Sequence, residues 1–127
     1  MSFNWSEYLT LAQELASRSA TSPIQEAKLR AAISRAYYSA FCQARNHLIY
    51  KDKKLIRPRG DAHKLVADTF EKSTNKQRQR IGFLLHDLRS IRNLADYKDT
   101  FPYGDKSGKT EAVLLEAEEI LHLLGRL

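Results

Sequence analysis

Cysteine occurs once in the chain, at Cys42, which excludes an internal disulfide and the small disulfide-stapled scaffolds built on them. Proline is scarce, at Pro23, Pro58 and Pro102 alone, and five glycines leave long stretches without a helix breaker. No apolar run approaches the ~20 residues needed to cross a bilayer, so no membrane association is expected. The opening residues, MSFNWSEYL, lack the charged-then-apolar design of a secretory signal, and a cytoplasmic location is the expectation. No glycine-rich phosphate loop, His-Glu-x-x-His pair or cysteine-based zinc pattern is present, so neither cofactor nor metal is expected. Convincing period-two alternation is missing as well, which argues against strands.

What is present fits one globular domain spanning residues 1–127, with 43% hydrophobic and 28% charged residues. The formal net charge is +6, and basic residues bunch at Lys51, Lys53, Lys54, Arg57, Arg59 and Lys64 and again at Lys76, Arg78 and Arg80. Such clusters suit a polyanionic partner such as RNA, although basic loops also occur as plain solvated surface.

Apolar spacing predicts five helices. Asn4 with Glu7 reads as a capping pair opening a helix over Trp5 to Arg18, with Tyr8, Leu11, Ala12 and Leu15 inward. Ser22, Pro23 and Gln25 open a second over Pro23 to Tyr50. Its buried stripe is Ile33, Ala36, Tyr37, Ala40, Phe41, Ala44 and Leu48, in which the alanines let a neighbour approach closely. His47 falls on this stripe as a hydrogen-bonded core histidine, and Cys42 reads as a small buried apolar residue. The remaining sides carry Ser34, Arg35, Tyr38, Cys42, Arg45 and Asn46, too mixed for plain solvent and suited to a second surface such as another protomer.

Lys51 to Gly60 reads as a basic connector. Asp61 caps a short third helix with Leu65, Val66 and Phe70 inward and His63 in its first turn. Thr74 with Gln77 begins a fourth, whose stripe is Ile81, Leu84, Leu85, Leu88, Ile91 and Ala95. Arg92 falls inside that stripe, with Arg89 and Asp96 on its flank, so its guanidinium must meet a carboxylate, a carbonyl or a bound anion. Lys98 to Gly108 reads as a loop, the least ordered part of the chain, and Lys109 to Leu124 as a last helix with Glu111, Glu116, Glu118 and Glu119 outward. The predicted fold is all-α, an antiparallel four- to five-helix up-and-down bundle.

Two segments in order, SRAYYSAFCQARNHL (34–48) and LRSIRNLADY (88–97), with GDAHKL (60–65) between them, resemble the HEPN superfamily. The likeness is to its small stand-alone prokaryotic members. It implies a helical bundle, commonly a homodimer, often paired with a minimal nucleotidyltransferase in a toxin–antitoxin or defence-type system. Many members are metal-independent ribonucleases whose motif is an Arg, often followed by a polar residue, and a His four to six intervening residues later. Arg92 and Asn93 match the first half, but Asp96 and Tyr97 occupy the region where the histidine should fall. A tyrosine, with a pKa of about 10, moves a proton poorly near neutral pH.

Three readings stay open on these residues. The first is a non-catalytic or weakly catalytic HEPN-like component that binds RNA or a nucleotide through Arg35, Tyr38, His63 and Arg89. The second is an endoribonuclease using Arg92 and Asn93 with Asp96, Tyr97 or His63 for proton transfer. The third is a structural interaction module in which Arg92, Asp96 and Tyr38 form a register-fixing polar network.

Overall fold

Helices form along the five stretches where apolar residues recur at three- and four-residue spacing. In the computed structural model, which describes residues 2–127, they are α1 (Ser6–Ser17), α2 (Gln25–Tyr50), α3 (Ala62–Glu71), α4 (Lys76–Tyr97) and α5 (Lys106–Gly125). No strand occurs among the described residues, and the fold is an all-α bundle. No helix among them is long and apolar enough to cross a membrane.

The central helix is α2, which packs against each of the other four. Ala32, Ala36, Ala40 and Ala44 are all fully buried, and this small-residue line lets neighbouring helices approach closely. His47 is buried on the same side as predicted, with Nε2 3.4 Å from an Arg78 Nη2 and 3.7 Å from Asp52 Oδ1. Arg78 in turn holds Asp52 through two hydrogen bonds of 2.6 and 3.1 Å, fastening α4 to the end of α2.

Several local expectations need correction. The fourth helix is capped by Asn75 rather than Thr74: Asn75 Oδ1 accepts from the Arg78 N–H at 2.9 Å. Asp61 precedes α3 but its side chain makes no capping bond; it lies 3.5 Å from Arg59 Nε instead. Leu65 and Leu11, expected inward, are 41% and 39% exposed. The buried face of α3 is Ala62, Val66, Ala67 and Phe70, which leaves Leu65 on the flank. Helix α5 begins three residues early, because Asp105 Oδ1 accepts from the Gly108 N–H at 2.9 Å and draws Lys106 to Gly108 into its first turn.

The segment between α4 and α5 is tied down by Arg30 of α2. Its guanidinium donates to the carbonyls of Ala95, Lys98 and Asp99, lies 3.0 Å from Glu26, and stands 5.3 Å from the centroid of the buried Phe101 ring. A helix end leaves its last carbonyls without intrahelical donors, and a cation satisfies both their hydrogen bonding and the helix dipole. The last turn of α4, where the sequence concentrates its polar groups, is thereby held against α2.

Helices α3 and α4 meet through Gly82. A Cβ there would lie 2.5 Å from the Glu71 nitrogen and 2.7 Å from the Ala67 carbonyl oxygen, both backbone. Gly82→Ala is therefore expected to destabilise by about 2 kcal/mol despite the better helix propensity of alanine, since backbone cannot step aside as a side chain can. A lower urea midpoint with an unchanged m-value checks this.

Glu116 is not an outward residue. It is half-buried, Oε2 is enclosed without a hydrogen-bond partner, and burial together with the neighbouring Asp87 carboxyl pushes its pKa up to about 7. The folded chain thus keeps a proton that the unfolded chain releases in the usual carboxylate range, so stability should fall as pH rises from that range to about 7 and level off above it. Glu116→Gln should remove this part of the slope and leave the protein more stable than wild type at neutral pH. Urea midpoints of the two proteins across the acidic to neutral range test it.

Candidate functional site

Burial of Ile91 and Ala95 brings Arg92 to the edge of the apolar face of α4, with its side chain 11% exposed. A guanidinium so placed needs partners. Nη2 donates to the Tyr38 hydroxyl on α2 at 2.6 Å, and Nη1 donates to Asn93 Oδ1 at 2.7 Å. Nε lies 3.0 Å from Asp96 Oδ2, an ion-pair distance without hydrogen-bond alignment, and Ser34 Oγ donates to the same carboxylate oxygen at 3.3 Å. The guanidinium carbon also stands 5.0 Å from the Tyr38 ring centroid and 5.8 Å from that of Tyr97.

Tyr38 is the meeting point with a second group of side chains. On its other side lies His63, delivered by the first turn of α3, with ring centroids 5.9 Å apart in an edge-on arrangement. The His63 imidazole stacks on Phe41 at 4.2 Å, and its Nδ1 is 2.6 Å from the hydroxyl of the buried Tyr37. Burial pushes the His63 pKa down, helped by the charges of Arg89 and Arg92, so the ring is neutral at neutral pH. Burial pushes the Tyr37 phenol above its ordinary range.

His63 and Tyr38 form one end of a groove of about 660 Å³. Its floor is the mixed side of α2, where Arg35, Tyr38, Cys42, Arg45 and Asn46 recur at three- and four-residue spacing as a second stripe beside the buried one. Trp5 and Tyr8 contribute from the N-terminal segment and α1; Ile56, Arg57, Pro58 and Arg59 come from the connector between α2 and α3. Arg35 lies 5.0 Å from the Tyr8 ring centroid and Arg45 5.7 Å from that of Trp5. The connector follows no helix, places Lys53 at φ 58°, and attaches to α2 through Lys54 N–H on the Leu48 carbonyl. Four arginines line the groove and no carboxylate does, and among the described residues Arg35, Arg45 and Arg57 form no ion pair.

No protein-family model, curated protein or solved structure matches this chain.

The candidate residues fall into three sets. Arg92, Asn93, Asp96 and Tyr38 form one network, joined to Ser34. Arg35, Tyr38 and His63 line the groove, with Arg89 acting on His63 through its charge. Tyr97 is 74% exposed and makes no hydrogen bond among the described residues, so it does not close the network. Trp5 and Tyr8 carry no sign of a site in the sequence, whereas Arg57 and Arg59 belong to the basic cluster suited to a polyanion, and the spacing of Arg45 sets it on the same side of its helix as Arg35, Tyr38 and Cys42. Cys42 is buried and its thiol pKa is raised by that burial, which suits packing rather than nucleophilic chemistry.

Asp68, Glu71 and His86 are the one group of potential metal donors among the described residues, with ligand atoms within 4.8 Å of one another. Their contacts are those of an ion-pair cluster: His86 Nε2 lies 2.9 Å from Asp68 and 3.1 Å from Glu71, and Lys64 holds the other Asp68 oxygen at 3.0 Å.

Because its three nitrogens are engaged by protein groups, Arg92 supports the fold as well as the site. Arg92→Ala removes a largely enclosed side chain together with the donor to Tyr38, and is expected to cost about 2 kcal/mol of stability. Asn93→Ala, at an exposed position, should cost no more than ~0.5 kcal/mol. Urea unfolding of both variants measures the contrast.

Proposed function

We propose that the chain is a HEPN-like component that binds a single-stranded RNA or a nucleotide in the groove between α1, α2 and the connector, and that it binds rather than cuts. The observation that carries this reading is a groove with four arginines, several aromatic rings and no carboxylate in its lining. Phosphates supply sequence-independent attraction to such a surface, and bases stack on exposed rings at about 1–3 kcal/mol each. A duplex has its bases already stacked, so the rings favour a single strand.

The kinship part of the proposal draws support from the meeting of the two segments that carry the resemblance. Arg92 of the second donates to Tyr38 of the first, so the polar residues of both segments belong to one structural unit. Within it Arg92 fixes Tyr38 at the groove end, and Tyr97 stands exposed where the family's histidine would be sought. Self-association and partnership with a minimal nucleotidyltransferase belong to the same proposal as properties of the family resembled.

Trp5 is the only tryptophan and lines the groove, so its fluorescence reports occupancy directly. Titration with a short oligoribonucleotide should quench it, and affinity should fall steeply with salt. Replacing Arg35 or Arg45 with alanine should weaken binding and reduce the salt slope by about 0.7 for each phosphate no longer neutralised. The oligonucleotide should stay intact throughout in EDTA. Binding that is absent, or that ignores both substitutions, would exclude the groove as the site.

A further inference from the structure

The hydrogen bond between Tyr37 and His63 fixes more than a ring position. The Tyr37 side chain is 1% exposed, and among the described residues its hydroxyl has one partner, His63 Nδ1 at 2.6 Å. Were Nδ1 to carry the imidazole proton, the hydroxyl would have to accept and its own proton would be left buried without an acceptor. The phenol keeps its proton at any ordinary pH because burial raises its pKa. Tyr37 is therefore the donor and Nδ1 the acceptor. In a neutral imidazole the proton then resides on Nε2.

Nε2 forms no hydrogen bond among the described residues, yet it is not an enclosed orphan, so it keeps some exposure in a residue that lines the groove. The groups facing the ring are Tyr37, Tyr38 and Phe41 from α2 and the charges of Arg89 and Arg92 from α4. No carboxylate is among them. Burial and the charges of both arginines oppose an imidazolium.

We infer that His63 contacts the ligand of the groove as a neutral hydrogen-bond donor through Nε2–H, its tautomer set by Tyr37, and recognises an acceptor oxygen of a bound strand. This rests on the groove-binding reading above and adds a role that charge alone does not provide. An uncharged donor makes its contact without releasing a counterion. It also lacks a free lone pair with which to take a proton from a ribose hydroxyl, which agrees with a groove that binds rather than cuts.

Two measurements separate this inference from its foundation. Long-range proton–nitrogen NMR of the imidazoles, with the His63 signals assigned by their loss in His63→Ala, should show a neutral Nε2–H tautomer at neutral pH in the free protein. Tyr37→Phe should abolish that preference while circular dichroism stays native. An Nδ1–H tautomer or an imidazolium would overturn the inference and leave the groove reading standing.

In the oligoribonucleotide titration, His63→Ala should weaken binding by about tenfold, the worth of one hydrogen bond to a charged acceptor. The salt slope should be unchanged, in contrast to the arginine variants. Wild-type affinity should also be flat between about pH 6.5 and 8, where an ordinary histidine would change charge. A slope reduced as in the arginine variants, or affinity rising on acidification in wild type but not in His63→Ala, would show a cationic contact and overturn the inference. Wild-type protein that binds no oligonucleotide while showing the expected tautomer would remove the groove reading, and with it the ligand role of His63.

Discussion

The guanidinium of Arg92 is the charge on which the site's arrangement depends. It is too enclosed to be solvated well and too strongly basic to discard its proton, so the chain has to build around it. Tyr38, Asn93 and Asp96 do so, and one of these, Tyr38, belongs to a different helix. The bond to Tyr38 consequently locks the rotation of α4 relative to α2, and Arg30 secures the same helix end from beneath by holding its terminal carbonyls. Register and site geometry share one set of interactions.

The groove is organised on the opposite electrostatic principle. Elsewhere this basic protein pairs its cations: Arg78 with Asp52, Arg80 with Glu119, Lys64 with Asp68. In the groove lining the carboxylates are missing, and cation–π contacts with Tyr8 and Trp5 take their place for Arg35 and Arg45. Aromatic faces orient a guanidinium without neutralising it. Its attraction for an anion is kept, at the expense of mutual repulsion among the arginines.

The fold was largely legible because apolar periodicity is a local property of sequence. All five helices and the central place of α2 follow from it, whereas the cap of α4 was placed one residue early and the start of α5 three residues late, because several polar side chains there compete for the same amides. The network around Arg92 was partly legible: its inward direction and its Asp96 partner follow from spacing within one helix, and Tyr38 was paired with it only as one of three readings. The groove was not legible as a whole. Arg35, Tyr38 and Arg45 share a stripe visible in sequence, but Trp5, Arg57 and Arg59 reach it through chain segments without periodic structure. Glu116 shows the reverse failure, since a glutamate amid outward glutamates gives no local sign that Asp87 of another helix will crowd it.

Helix α2 and the connector, which both line the groove, differ in build. Helix α2 packs against four neighbours, while the connector bearing Arg57 and Arg59 is non-helical and is tied to the end of α2 through the Lys54 N–H. Arg35 and Arg45 are therefore held at the fixed spacing of a helix, whereas Arg57 and Arg59 sit on backbone that no helix fixes.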